Sequence, residues 1–168
     1  MEAEIRVAVL TISTRSSRGE REDRSGPAIC ALVERELGVL SCYKVLPDVE
    51  EVIAAELRRI CDRGEADVIF TLGGTGLSPS DVTPEATAQV IERAVPGISE
   101  TIRARSMEKT ERAMLSRGSA GVRGHTLIVN MPGSEQAVRE SFAIVCPVIT
   151  HAVELIRGEV KDCGRTGA

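Results

Sequence analysis

Four short apolar runs, each closing in a polar or glycine-bearing turn, constrain the fold of this chain more than any other feature. They cover residues 5–12, Val39–Leu46, Val68–Leu72 and residues 125–131, and their length and Val/Ile/Leu content predict strands. Helical periodicity fills the gaps. Ile29, Leu32, Val33 and Leu37 follow Ser25, a residue suited to capping, and Gly38 suits the stop. Val49, Val52, Ile53, Leu57 and Ile60 follow Asp48, with Glu51 placed to complete a capping box and Gly64 to end the helix. Thr83 as N-cap and Pro84 at the first helical position predict a helix over 84–94. Pro96-Gly97 interrupts, a mixed-charge helix is expected over 98–109, and Val138, Phe142, Val145, Ile149, Val153 and Ile156 form the stripe of a last helix. Strands alternating with helices predict an α/β fold with a mainly parallel sheet, whose ligands bind beyond the carboxyl ends of the strands.

At 168 residues the chain is expected to be one domain over 1–168, with 158–168 a loose tail. It is 42% hydrophobic but only 2% aromatic, so Val, Ile, Leu and Ala must fill the core, as in helix-covered parallel sheets. A formal net charge of −4 argues against a nucleic-acid partner held by overall charge. The five cysteines, 30, 42, 61, 146 and 163, lack C-x-x-C spacing and suggest reduced thiols rather than a disulfide framework or a zinc site. Neither a charged-then-apolar leader nor a membrane-length apolar run is seen, which makes the cytoplasm the expected location, with no membrane partner.

Residues 71–83 carry the most chemistry. The strand feeds into Gly73, Gly74, Thr75 and Gly76, where small or absent side chains let backbone N–H groups approach an anion. Thr71 and Thr75 add hydroxyls, and Asp81 follows just before the helix start. The pattern is neither a Walker A loop nor G-x-G-x-x-G, and kinase, other nucleotide-binding and plain-turn readings stay open on these residues alone. If the strands are parallel, the turns at Ser13-Thr14, Pro47-Asp48, Gly73 to Asp81 and Asn130 to Ser134 share one edge. Asp48 reads as a helix cap by itself; beside Asp81 it makes an oxygen pair suited to Mg²⁺ and phosphates. Six basic residues oppose two acidic ones between 103 and 123, mostly as a solvated helix face. Arg117, set in small and Gly-rich sequence after Ser116, is the one expected to meet an anion. His125 and His151 lack metal-like spacing.

Taken together, Thr71-Leu72-Gly73-Gly74-Thr75-Gly76 with residues 81–86, the Leu46-Pro47-Asp48 turn, Leu115-Ser116-Arg117 and residues 130–134 resemble the molybdenum cofactor biosynthesis family of molybdopterin adenylyltransferases and gephyrin G domains. The resemblance runs from about Arg6 to Arg157. It implies a three-layer α/β/α domain, a homotrimer, and a reaction of ATP with molybdopterin and Mg²⁺ that yields adenylylated molybdopterin and pyrophosphate. Handover to a molybdenum-inserting enzyme is implied as well. By position, Asp48 and Asp81 match the family's two essential acids, both assigned to the metal as well. Gly73 to Gly76 match its phosphate loop, and Pro132, Gly133 and Ser134 the turn on the nucleotide side. Ser13, Thr14, Thr71, Ser116 and Arg117 are expected to complete the binding set. Thr14 stands where family members commonly have Asp. A catalytically weak paralogue and a gephyrin-like trimeric scaffold are the alternative readings.

Overall fold

All four apolar runs become neighbouring strands of one sheet in the computed structural model, which describes residues 4–159. Cys163 and the expected tail from 160 onward lie outside the described residues. Strands β1 (Arg6–Ile12), β2 (Val39–Leu46), β3 (Val68–Leu72) and β6 (Thr126–Met131) are parallel. Two further strands, β4 (Arg93–Ala94) and β5 (Ala120–Arg123), extend the sheet antiparallel beyond β6. The order is β2-β1-β3-β6-β5-β4. The central strands β1, β3 and β6 are buried nearly throughout, because helices cover both of their faces.

The helices are α1 (Thr14–Ser17), α2 (Ser25–Glu36), α3 (Glu50–Asp62), α4 (Thr83–Ala88), α5 (Pro96–Met107) and α6 (Glu135–Arg157). One core unites Ile29, Val33 and Ile102 with the α6 stripe from Val138 to Val153, against alternate residues of the sheet. The edge-on contact of Phe70 with Phe142, 5.9 Å between ring centroids, lies in it. The other core sets Ile53, Leu57 and Ile60 of α3 and Ala86 of α4 against Ala8, Leu10, Ile69 and Ile128. Three layers result. Alternate side chains of each strand fall to opposite faces, so one strand feeds both cores.

Some local expectations give way to tertiary contacts. The helix expected over 84–94 stops at Ala88, and Arg93–Ala94 instead pairs with β5. Glu92 and Val95 N–H groups donate to the carbonyls of Val122 and Ala120 at 2.9 Å, bonds a continuing helix would forgo. Gly121 makes room for this edge: a Cβ there would sit 2.8 Å from Ile91 and from the Arg93 carbonyl. Ser25 and Thr83 are first residues of their helices rather than caps, and Asp48 caps nothing, since α3 starts at Glu50 after Val49. The polar stretch after β1 contains α1, capped by the Ser13 hydroxyl.

Candidate functional site

Because β1, β2, β3 and β6 run in the same direction, their carboxyl ends bring four turns together around a cleft of about 640 Å³. Ser13, Asp48, Gly73, Gly74, Asp81, Gly133 and Ser134 all line it. Residues 21–24, just before α2, and Ser25 at its start also line it, as does Thr11.

Asp48 is held by Thr14. Its Oδ2 accepts from the Thr14 N–H at 2.8 Å and from the Thr14 hydroxyl at 2.9 Å, and that same hydroxyl accepts from the Asp48 N–H at 2.9 Å. A hydroxyl can donate and accept at once, which a carboxylate at position 14 could not do beside Asp48. Asp81 is fixed by its own turn: Oδ2 accepts from the Ser78 N–H at 3.0 Å, while the Asp81 N–H donates to the Ser78 carbonyl at 2.9 Å. In both acids Oδ1 makes no hydrogen bond among the described residues. These are hard oxygen donors of the kind Mg²⁺ takes from one or two carboxylates plus phosphates. Among the described residues no group of three or more His, Cys, Asp or Glu could hold a metal without such help.

Within the glycine loop the roles divide. Gly73 (φ +99°) and Gly74 (φ +65°) adopt backbone that an L side chain rarely enters. Gly73 turns its N–H back onto the Met131 carbonyl at 3.0 Å, and its carbonyl accepts from the buried Thr83 hydroxyl at 2.9 Å. Gly73 therefore anchors the loop and does not itself offer a donor. Gly74, Gly133 and Ser134, all on the cleft, have N–H groups with no partner among the described residues, which suits an anion. Ser25 holds the second of these turns, donating from its hydroxyl to the Gly133 carbonyl at 2.6 Å.

Thr71 is not in the cleft. It is fully buried beneath the loop, where its hydroxyl accepts from Asn130 Nδ2 at 2.8 Å. Asn130 also donates to Thr87 at 2.9 Å and accepts from the Ser119 N–H and hydroxyl at 3.1 Å. This polar network ties β3, β6, α4 and the approach to β5 together under the site. Thr75, Gly76, Ser116 and Pro132 line a separate, more apolar hollow of about 300 Å³ with Ile102, Leu115 and Arg112. Arg117 is occupied: its guanidinium donates to the carbonyls of Gly76 at 2.8 Å and Asp81 at 2.7 Å and pairs with Glu85. That pairing, chiefly the hydrogen bond, holds the Glu85 carboxyl below its usual range. Two more residues of the basic stretch are paired with acids, Lys109 with Glu140 and Arg123 with Asp62, while Arg103 donates to the Gly118 carbonyl at 2.8 Å.

Asp23, Ser25 and Tyr43 went unassigned to the site in the sequence, while Glu85 and Asn130 stood within its motifs without a role of their own. For the first two the signal was Asp23-Arg24-Ser25-Gly26-Pro27, a turn-forming cluster directly before a helix. The four described cysteines are free, and burial pushes the thiols of Cys30 and Cys61 up to about 11, away from reactivity.

The chain matches a family model described as a probable molybdopterin binding domain over residues 8–151. It is 40% identical to a molybdopterin adenylyltransferase of Helicobacter pylori, across 92% of this chain and 89% of that protein. It is 42% identical to the molybdenum cofactor synthesis protein cinnamon of Drosophila melanogaster across 98% of this chain, yet spans only 28% of that longer protein. The crystal structure of the molybdopterin biosynthesis enzyme MoaB from Thermus thermophilus superposes with a TM-score of 0.86 at 45% identity, covering 92% of this chain and 97% of the other.

Proposed function

We infer that this chain, which belongs to the family of probable molybdopterin binding domains, is a molybdopterin adenylyltransferase of molybdenum cofactor biosynthesis. AMP passes from ATP to the terminal phosphate of molybdopterin, and pyrophosphate is released. The observation that carries this reading is the cleft, where unpartnered backbone N–H groups of Gly74, Gly133 and Ser134 stand with two carboxylates that each keep a free oxygen.

The chemistry needs two anionic phosphates brought together. A phosphate oxygen of molybdopterin attacks the α-phosphorus of ATP, a new P–O bond forms, and the bridging oxygen to the β-phosphorus departs with its electron pair as pyrophosphate. No protein nucleophile is called for, so positioning and charge stabilisation supply the catalysis. Gly74, Gly133 and Ser134 donate to phosphate oxygens, and Arg117 keeps the loop in shape through the carbonyls of Gly76 and Asp81. Asp48 and Asp81 are the residues that would hold Mg²⁺, which when bound neutralises phosphate charge and polarises the reacting phosphoryl group. Thr14 keeps Asp48 aimed for that purpose.

A cytoplasmic homotrimer that hands its product to a molybdenum-inserting enzyme completes the proposal. The handover alone is supported by kinship with longer proteins of the same biosynthesis, one of them named bifunctional, of which this chain matches 28% and 47%. Asp81→Asn tests the activity: with ATP, Mg²⁺ and molybdopterin, formation of adenylylated product should fall by about 100-fold or more, while circular dichroism and molybdopterin binding stay near wild type. Unchanged turnover would remove Asp81 from its role. Wild-type protein that binds both substrates and forms no product would instead be a non-catalytic binder.

A further inference from the structure

Asp23, on the cleft lining, is fixed from two directions. Its Oδ1 accepts from the Gly26 N–H at 3.1 Å, and its Oδ2 accepts from the hydroxyl of Tyr43. Tyr43 is the only tyrosine in the chain and comes from a different element, β2, at an outward position that leaves it 37% exposed. The three groups are in close contact: a Cβ at Gly26 would overlap both the Asp23 carboxylate and the Tyr43 ring. Burial, with help from Asp23, pushes the Tyr43 hydroxyl well above the usual phenol range, so it remains a donor throughout neutral pH. The buried Thr11 hydroxyl, also on the cleft lining, lies beside it.

A carboxylate that only capped α2 would need the Gly26 bond and nothing from β2. An ionised carboxylate has about four acceptor positions, and two are used here, so Asp23 still faces the cleft with acceptor capacity and a fixed orientation. We propose that Tyr43 is a positioning residue that sets the Asp23 carboxylate as the acceptor for the N–H edge of an amino-substituted heterocycle. The proposal rests on the adenylyl-transfer reading for the two molecules that carry such an edge. Adenine offers one exocyclic amino group, whereas a pterin offers an amino group and an adjacent ring N–H, two parallel donors that match a carboxylate better.

Calorimetric binding and steady-state kinetics with each substrate separate the two sources. Tyr43→Phe should weaken molybdopterin binding by about tenfold and raise its KM without a comparable fall in kcat, while ATP binding changes by less than about twofold. The reverse pattern would keep the positioning role and make adenine the ligand. Asp23→Asn leaves an oxygen for the Gly26 N–H and should keep the wild-type melting temperature, yet weaken the same substrate at least as much. Binding of both substrates unchanged in either variant, or weakened equally in both, overturns the proposal and leaves only a structural clasp. These binding arms are read without turnover. Wild type that binds but does not adenylylate refutes the transfer activity alone; wild type that binds neither substrate overturns both.

Discussion

Gly73 shows how little room the site leaves at a single residue. Its backbone lies at φ +99°, and an added Cβ would stand 2.6 Å from the Ile12 carbonyl, backbone against backbone, so neither side can yield cheaply. Gly73→Ala should therefore destabilise the fold by about 2 kcal/mol or more. It should also lower turnover beyond that loss, because the turn carrying Gly133 packs on the same atoms. Urea unfolding with kinetics on the folded fraction checks both, and an alanine variant with wild-type stability would contradict the strain. The presence of this loop could be read from the spacing of glycines, but its division of labour could not: that Gly73 anchors while the Gly74 N–H stays without a partner among the described residues depends on a bond to Met131, some sixty residues on. Asp48 was ambiguous for a similar reason. A carboxylate just before a helix looks like a cap whatever it does, and only Thr14, brought alongside by β1–β2 pairing, draws it away.

At the level of elements, the ends of β1, β3 and α6 opposite the site are pinned by one buried acid. Asp67 accepts from the Arg6 N–H at 2.8 Å and the Arg6 side chain at 3.1 Å and 3.2 Å, and Arg157 approaches its Oδ2, which Arg6 also uses, at 3.0 Å. Burial alone would raise its pKa, but the Arg6 and Arg157 hydrogen bonds outweigh burial and hold it below the ordinary 3.8. The folded protein thus binds this proton less readily than the unfolded chain. The resulting stability is fully present above the unfolded value and is lost as the pH falls through the lower folded one. Asp67→Asn should cost about 2 kcal/mol at neutral pH, and should flatten the loss of stability below about pH 4. An acid limb of unchanged slope would show that other carboxylates dominate it. The parallel strands and most of the helices were legible because each carries its own periodicity. The antiparallel pair β4–β5 was not: Ala120, Gly121, Val122 and Arg123 look like loop until Gly121 meets Ile91 across the pairing.

For the molecule as a whole, the site and the stability of the fold are coupled. The cleft draws on the ends of all four parallel strands and on the starts of α2 and α6, so a ligand that fills it binds the native arrangement and has nothing comparable to hold in the unfolded chain. Saturation at about 100 times Kd then adds about 2.7 kcal/mol, which for a domain of this size raises the melting temperature by roughly 5–10 °C. The full shift should require nucleotide and metal together. If Asp48 and Asp81 carry Mg²⁺ between protein and phosphates, chelating the metal with EDTA should remove most of the ATP-dependent shift without moving the melting point of the ligand-free protein. Asp48→Asn should reduce the shift in the same way, and Thr14→Val should reduce it partially, since Asp48 keeps its bond from the Thr14 N–H and loses only those made by the hydroxyl. A shift that survives both EDTA and Asp48→Asn would mean that the nucleotide is held by backbone donors alone. The two carboxylates would then act on the chemical step and not on binding, and the same variants would separate by kcat rather than by melting temperature.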